Sequence, residues 1–393
     1  MFYSDYFFKI NTIYLDNAAS TQVPIKTIED TNEYYKHGHS NIYRSNGRLS
    51  IENSDYVYNV RNNIKKFINA QEDSEIIFTS GATQGLNLLA FGLGESILNY
   101  EDEVVITNSD HHSNIVPWQV ICNKKLAILK HYDIDESGII DLDKLIALLT
   151  PQTKILTLPF ISNVLGIINP IKEITKICHD RGIIVIVDTA QAVGHMAIDV
   201  NDLDIDFLVT SGHKMYAYPG IGFIYGKKQY LNIISPYYFG GGMIKSINNG
   251  TYIYDNIPYK FEAGTQNIIG IRSLNLAIEF INQIDITNIY SHLKSLTTYL
   301  INELRNIESI NIIADNIDNH LGIVSFVSTK IHHYDIEMFL SNENIQVRSG
   351  HCCALKLMNS LNINGVVRVS LAIYNTQEHI DNLIKNIKII INH

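Results

Sequence analysis

Residues 348–354 read Arg-Ser-Gly-His-Cys-Cys-Ala, two adjacent cysteines between an arginine and a histidine on one side and an alanine on the other. A metal site, half of a disulfide and a nucleophilic thiol are the three chemistries that could use them. Zinc needs paired Cys or His at short spacing on both sides of a turn, and Cys122, Cys178, Cys352 and Cys353 offer no such pairing. Neighbouring cysteines bridge each other only with strain, and a sparse, scattered set is no extracellular disulfide framework. What remains is one or both thiols free in a loop. The nucleophile is the thiolate, which nearby cations such as Arg348 and His351 favour. Cys178, in ITKICHDRG, and Cys122, at the end of NIVPWQVIC, read as packing residues.

Further candidates lie in the middle of the chain. Ser80-Gly81-Ala82-Thr83 opens a stretch of helical pattern, where free N–H groups, the helix dipole and the Thr83 hydroxyl form an anion cradle or, more plainly, a capped turn. Asp110-His111-His112-Ser113-Asn114 supplies an imidazole ring to lie over a flat ligand, or a solvated loop with a cap. Asp188, before Thr189-Ala190-Gln191, ends an apolar run; a carboxylate buried there wants a cation, and helix capping is the ordinary alternative. Ser211, His213 and Lys214 follow DFLVT. Lys214 is either a surface cation or, partly desolvated beside other cations, an amine whose lowered pKa frees it as a nucleophile.

These groups need a scaffold, and the sequence describes one. EIIFTS, EVVITNS, LAILKHY, KILTLPFIS, GIIVIVDTA, DFLVTSG and GIGFIYG are short apolar runs separated by helical stretches such as ATQGLNLLAFGLG, DLDKLIALL and PIKEITKICHDRG. Continuous apolar strands alternating with helices predict an α/β unit with a mostly parallel sheet covered on both faces. Ligands of such sheets bind beyond the carboxyl ends of the strands, where residues 80–83, 110–114, 188–191 and 211–214 fall. After about Gly264 the pattern becomes α+β: a long helix over roughly 266–305, LGIVSFVS, a helix near Tyr334 to Leu340, ENIQVR, VVRVSLA and a closing helix. With 393 residues, 46% of them hydrophobic, two structural units are expected. The net charge of −10 without a basic stripe argues against nucleic acid. The start, MFYSDYFFKINTIYLDN, lacks the pattern of a secretory signal, and no run reaches the roughly 20 apolar residues of a membrane span. The reading is a soluble intracellular protein.

A phosphate cradle, a stacking ring, a buried acid and a reactive lysine together describe a pocket for pyridoxal 5′-phosphate. The chain resembles the class V aminotransferase group of fold-type I pyridoxal-phosphate enzymes, and within it the SUF-type (group II) cysteine desulfurases. The resemblance runs through YLDNAAST, FTSGATQGLNLLAFGLG, DHHSNIVPWQ, ISNVLGIINPI, VDTAQAVGHMAIDV, DFLVTSGHKMYAYPGIGFIYGKK, FEAGTQNIIGI, VRSGHCCA and VVRVSLAIYNT. It implies a large cofactor-binding domain with a seven-stranded sheet at 21–264, a small C-terminal domain at 265–393, and an N-terminal segment, 1–20, joining the latter. It implies Lys214 as the residue that carries the cofactor and moves a proton, Asp188 against the ring nitrogen, Gln191 donating to the phenolate oxygen, and His111 stacked on the ring and aiding acid–base steps. Ala82, Thr83, Ser211 and His213 would hold the phosphate, with Thr265 reaching it from the other subunit of a homodimer. Arg368, with Asn163 beside it, and Arg348 would bind the substrate.

In this reading Cys353 is the nucleophile that takes sulfur from L-cysteine as a persulfide, leaving L-alanine, for a SUF-type acceptor protein in iron–sulfur cluster assembly. Cys352 is a replacement at a variable position or a partner in redox or persulfide sharing. The resemblance implies a bacterial cytoplasm or an organelle.

The chain departs from the family where an active-site histidine is commonly found: Gly47 stands there, in Tyr43–Ser50. The stretch FGGGMI is one residue short, and Leu355-Lys356 follows the Cys-Ala pair in place of a proline. A selenocysteine lyase or other class V enzyme would share Lys214 and Asp188 without needing Cys353. A degenerate scaffold would have lost the cofactor residues, which are all present.

Overall fold

The computed structural model describes residues 3–43 and 45–392; Arg44, in the Tyr43–Ser50 stretch, lies outside them. The apolar runs form a seven-stranded sheet in the order Ile76–Thr79, Gly222–Gly226, Phe207–Ser211, Ile184–Asp188, Thr153–Pro159, Glu103–Thr107, Ile128–Tyr132. All strands run parallel except Gly222–Gly226, which is antiparallel to both its neighbours. Consecutive side chains enter opposite cores. Leu156, Val185 and Leu208 face one cluster with the helices Arg48–Phe67, Ile171–His179 and Ile268–Ile284, while Ile155, Ile186 and Val209 face another with Ala82–Ile97 and His112–Lys125. Burial on both faces is why these strands read as unbroken apolar runs.

The C-terminal part builds a four-stranded antiparallel sheet ordered Ile310–Ile312, Ile323–Ser328, Val366–Ser370, Arg348–Gly350. The N-terminal segment crosses to it: Ile13–Tyr14 pairs parallel with Ile345–Gln346, and Asp16 bridges Ser370. Five residues later Thr21 N–H donates to the His213 carbonyl at 2.8 Å, so one short segment touches both units beside Lys214.

Three details differ from the sequence pattern. The helix expected over 266–305 is two helices, Ile268–Ile284 and Ile286–Arg305. Asp285 breaks them: with φ 74° it leaves the helical region, and its carboxylate accepts from Thr287 N at 2.9 Å to cap the second helix. ENIQVR is not one strand, because Ile345–Gln346 and Arg348–Gly350 pair with different partners. Residues Ile244–Asn248 and Thr251–Tyr254 form an exposed hairpin that the alternation did not announce. Among the described residues no helix is long and apolar enough to cross a membrane, and no cluster of three metal-binding side chains occurs.

Candidate active site

A cavity of about 290 Å³ opens at the carboxyl ends of the parallel strands, lined by groups from both units. At its floor Asp188 ends a fully buried strand, and its Oδ1 accepts from Ala190 N at 2.9 Å. Burial raises its pKa, against the pull of the Ala190 N–H and the Lys214 cation. Lys214 follows the strand Phe207–Ser211 on a single turn. Burial lowers its pKa; Asp188 opposes this, Arg368 adds to it, Cys353 opposes it and Arg348 adds to it. The amine and both ends of the site are therefore within electrostatic reach of one another.

The cradle is the start of the helix Ala82–Ile97. Its N-cap is Gly81, which has no side chain to satisfy the first turn. Ser211 Oγ accepts from Ala82 N at 2.7 Å, and Thr83 Oγ1 lies 2.8 Å from Ser113 Oγ. Gly81 has φ 146°, and a Cβ there would sit 3.2 Å from Ser211 Oγ, so this corner suits glycine. A capless helix end with two hydroxyls facing the cavity is a place for an anion.

His111 caps the adjacent helix, His112–Lys125, its Nδ1 accepting from Ser113 N at 3.1 Å. Burial first, then Lys214, pushes its pKa down to about 4, so the ring is neutral at physiological pH. His213 is lowered to about 4 by the same two causes in the same order. Gln191 Nε2 donates one N–H to the Ala18 carbonyl at 2.9 Å, and its acceptor Oε1 is buried without a partner among the described residues.

At the opposite end two arginines meet. Arg368 is buried, its Nη1 donating to the Asn163 carbonyl at 3.1 Å and its Nη2 to Asp16 Oδ1 at 2.9 Å. Arg348, more exposed, donates from Nε to Asp16 Oδ2 at 3.1 Å. The thiol loop follows. Cys352 and Cys353 both sit in the left-handed region, at φ 47° and 58°, a conformation that costs a non-glycine residue about 1–2 kcal/mol and persists when surroundings enforce it. Asn163 Nδ2 donates to the Cys352 carbonyl at 2.8 Å, His112 N to the Cys353 carbonyl at 2.9 Å, and Leu355 N to His112 Nε2 at 3.1 Å. His351 Nδ1 accepts the Cys353 N–H at 3.2 Å. Cys352 is buried, and burial raises the pKa of its thiol, while Cys353 is half-buried.

Ala82, Thr83, His111, Asn163, Asp188, Gln191, Ser211, His213, Lys214, Arg348, Cys353 and Arg368 thus line one cavity. Thr265 does not; it lines a second cavity of about 320 Å³ with Tyr43, Tyr259 and Glu262. Gly47 caps the helix Arg48–Phe67 and is not among the residues lining the first cavity. The sequence assigned no role to Asp16 or His112, whose partners are 352 and 243 residues away; no local pattern signals such pairings.

Residues 13–383 match the family model Aminotransferase class-V. A cysteine desulfurase of Cronobacter sakazakii is 40% identical over 373 residues, covering 94% of this chain and 91% of that protein. Among solved structures, the apo cysteine desulfurase from Thermococcus onnurineus NA1 superposes with TM-score 0.93 at 34% identity, covering 97% of this chain and 95% of that one. The Escherichia coli cysteine desulfurase CsdA, in an S-sulfonic acid form, gives 0.91 at 30% identity, covering 98% and 96%. The chain therefore belongs to the class-V aminotransferase family, on its cysteine desulfurase branch.

Proposed function

We propose that the protein binds pyridoxal 5′-phosphate and converts L-cysteine to L-alanine, keeping the sulfur as a persulfide on Cys353. The observation that carries this reading is that Lys214 and Cys353, 139 positions apart in sequence by their numbers, line one cavity with Asp188 and Arg368. The cavity fits the cofactor on its own terms: a capless helix end for the phosphate, a buried carboxylate for the ring nitrogen, a neutral ring at His111 and an amine lowered by burial. Bound there, the cofactor supplies an electron sink that weakens bonds at the substrate's α- and β-carbons.

The chain's own groups do the rest. Ala82 and Thr83, with Ser211 and His213, hold the phosphate, and Asp188 holds a proton on the ring nitrogen. Arg368, beside Asn163, takes the α-carboxylate, and its Nε–H is buried and unpaired among the described residues. Lys214 Nζ takes the proton from the substrate's Cα. Cys353 Sγ then attacks the substrate's Sγ; an S–S bond forms, the Cβ–Sγ bond breaks, and its electron pair stays with the carbon skeleton, which gains protons to become alanine. Arg348 lies at the mouth of the thiol loop.

The same reading places the cofactor on residues 21–264 and the thiol on 265–393, with 1–20 joining the latter. Thr265 lies outside the chain's own cavity, which supports a homodimer in which it reaches the partner subunit's phosphate. The persulfide passes to a SUF-type acceptor for iron–sulfur cluster assembly in the cytoplasm, and four unbridged cysteines suit such a reducing compartment. The test is to supply L-cysteine and measure alanine together with a +32 Da persulfide, a shift of about one sulfur atom. Stoichiometric alanine and persulfide on Cys353 support the reading. Alanine with Cys353→Ser, or selenide from selenocysteine without any reaction of cysteine, would point to a selenocysteine lyase.

A further inference from the structure

Arg348 and Arg368 are directly opposite each other in the antiparallel pair of strands Arg348–Gly350 and Val366–Ser370. Like charges in that register repel. Asp16 comes from a distant part of the chain and offsets the repulsion: its carboxylate, 3% exposed as a residue, accepts from Arg368 Nη2 at 2.9 Å and from Arg348 Nε at 3.1 Å, and lies 3.0 Å from Arg348 Nη2. Asn17 and Ala18, the next two residues, are pinned to the same strand: Asn17 Nδ2 donates to the Ser370 carbonyl at 2.7 Å and Ala18 N to Ser370 Oγ at 2.9 Å. The carboxylate is therefore fixed between the guanidiniums by the contacts of the two residues that follow it.

Two guanidiniums against one carboxylate leave a single positive charge at this end of the cavity. Arg368 spends Nη2 on Asp16 and Nη1 on the Asn163 carbonyl, and its Nε is buried with no partner among the described residues. Arg348 spends Nε and Nη2 on Asp16. Room is left in charge for one incoming carboxylate; a second one placed next to the first would meet Asp16 itself.

We infer that Asp16 is a specificity-determining residue, which sets this subsite to accept a ligand with one carboxylate and to reject an otherwise similar ligand with two. The inference rests on the reading that Arg368 receives the substrate's carboxylate, and it extends that reading from where the substrate is held to which substrates are excluded. Rejection here works through a fixed like charge, a way of gaining specificity distinct from adding contacts to the favoured ligand.

The experiment compares 3-mercaptopropionate with mercaptosuccinate, which differ by one carboxylate and lack an amino group, so their binding requires no reaction at Lys214. Calorimetric titration of the holoenzyme should find the monocarboxylate tighter by about tenfold or more, the size expected of a like charge held close to the ligand. Asp16→Asn, which keeps the shape and removes the charge, should narrow that ratio at least severalfold by tightening the dicarboxylate, and Asp16→Glu should preserve it. Equal affinities in the unmodified enzyme, or a tighter dicarboxylate, overturn the inference, as does an Asp16→Asn protein in which both ligands weaken alike. If Asp16→Asn does not fold, the unmodified ratio and that of Asp16→Glu decide. These ratios are binding measurements, so they stand or fall independently of whether cysteine yields alanine and persulfide.

Discussion

The two ends of the site are held in different ways. Lys214, Asp188 and Ser211 stand at or just after strands whose residues are all buried and paired on both sides. They cannot shift without opening the sheet. Cys353 stands on a loop after a three-residue edge strand, in left-handed backbone, and three hydrogen bonds from His112 and Asn163 tie that loop and the residue after it to the large unit. Each such bond contributes about 1 kcal/mol net. In the proposed function the groups that hold the cofactor are on rigid strand ends, and the thiol that takes the sulfur is on a loop held by a few hydrogen bonds.

The largest effects should separate the two ends. Lys214→Ala removes the group that the proposed function makes the cofactor's anchor and the proton carrier, and cysteine turnover should fall by at least about 10⁴-fold with loss of the visible absorbance of the bound cofactor. Cys353→Ser should abolish persulfide formation, at least about 10³-fold, while that absorbance and cysteine binding persist. Absorbance lost in Cys353→Ser, or kept in Lys214→Ala, would erase the distinction between a rigid cofactor end and a separate sulfur-carrying end.

The same distinction decides what could be read from sequence. Strand ends announce themselves: apolar runs such as IIVIVD and FLVTS stop at a polar residue, so Asp188, Ser211 and Lys214 were legible along with the seven-stranded α/β unit. The loop was legible as a pattern of residues but not as a place. Asp16, Asn163 and His112 hold it and its arginines through contacts 189 to 352 residues apart, which no periodicity encodes. The break at Asp285 escaped for another reason: the apolar period continues across it, and only the backbone at φ 74° turns the second helix away.

Acid should act on the rigid end. His195 is buried against the Gln191 carbonyl at 3.1 Å, and burial lowers it to about 4. Unfolded, it takes a proton near 6.5. Between these values the unfolded chain binds more protons, so His195 contributes stability that is fully present above about pH 6.5 and is lost as the pH falls toward 4. Asp110, raised to about 7 chiefly by burial, has the opposite sign: it contributes against folding as the pH rises through the carboxylate range. A comparison between variants removes that opposing contribution. Urea unfolding at pH 7 and pH 5 should lose about 2 kcal/mol less in His195→Gln than in the unmodified protein. An unchanged difference would mean that the histidine is hydrated in the folded state.

A smaller effect should follow from loosening the tether. His112→Ala removes the acceptor for Leu355 N–H and leaves the His112 N–H bond to the Cys353 carbonyl in place. One bond of roughly 0.5–1.5 kcal/mol predicts a 2- to 10-fold slower persulfide formation and faster alkylation of Cys353 by a bulky maleimide, with the cofactor absorbance unchanged. A change in that absorbance would show that the two ends are mechanically coupled through the helix His112–Lys125.

The smallest effect is expected at Cys352, and it tests whether adjacency or environment chooses the nucleophile. Both cysteines line the cavity, both have left-handed backbone, and they are one residue apart. They differ in burial: Cys352 is 8% exposed, and burial raises the pKa of its thiol, against the pull of Arg368 and Arg348. A thiol held in its protonated form attacks poorly, because the thiolate is the reactive species. Cys352→Ser should therefore leave the rate of alanine formation within about twofold, since serine keeps a similar shape and the same backbone conformation. Both cysteines fall between Arg348 and Lys356, on a single tryptic peptide, so the sulfur must be located by fragment ions within it. Sulfur found on Cys352 in the unmodified enzyme, or a tenfold loss of rate in Cys352→Ser, would show that burial does not keep this thiol out of the reaction and that the loop carries sulfur on two residues.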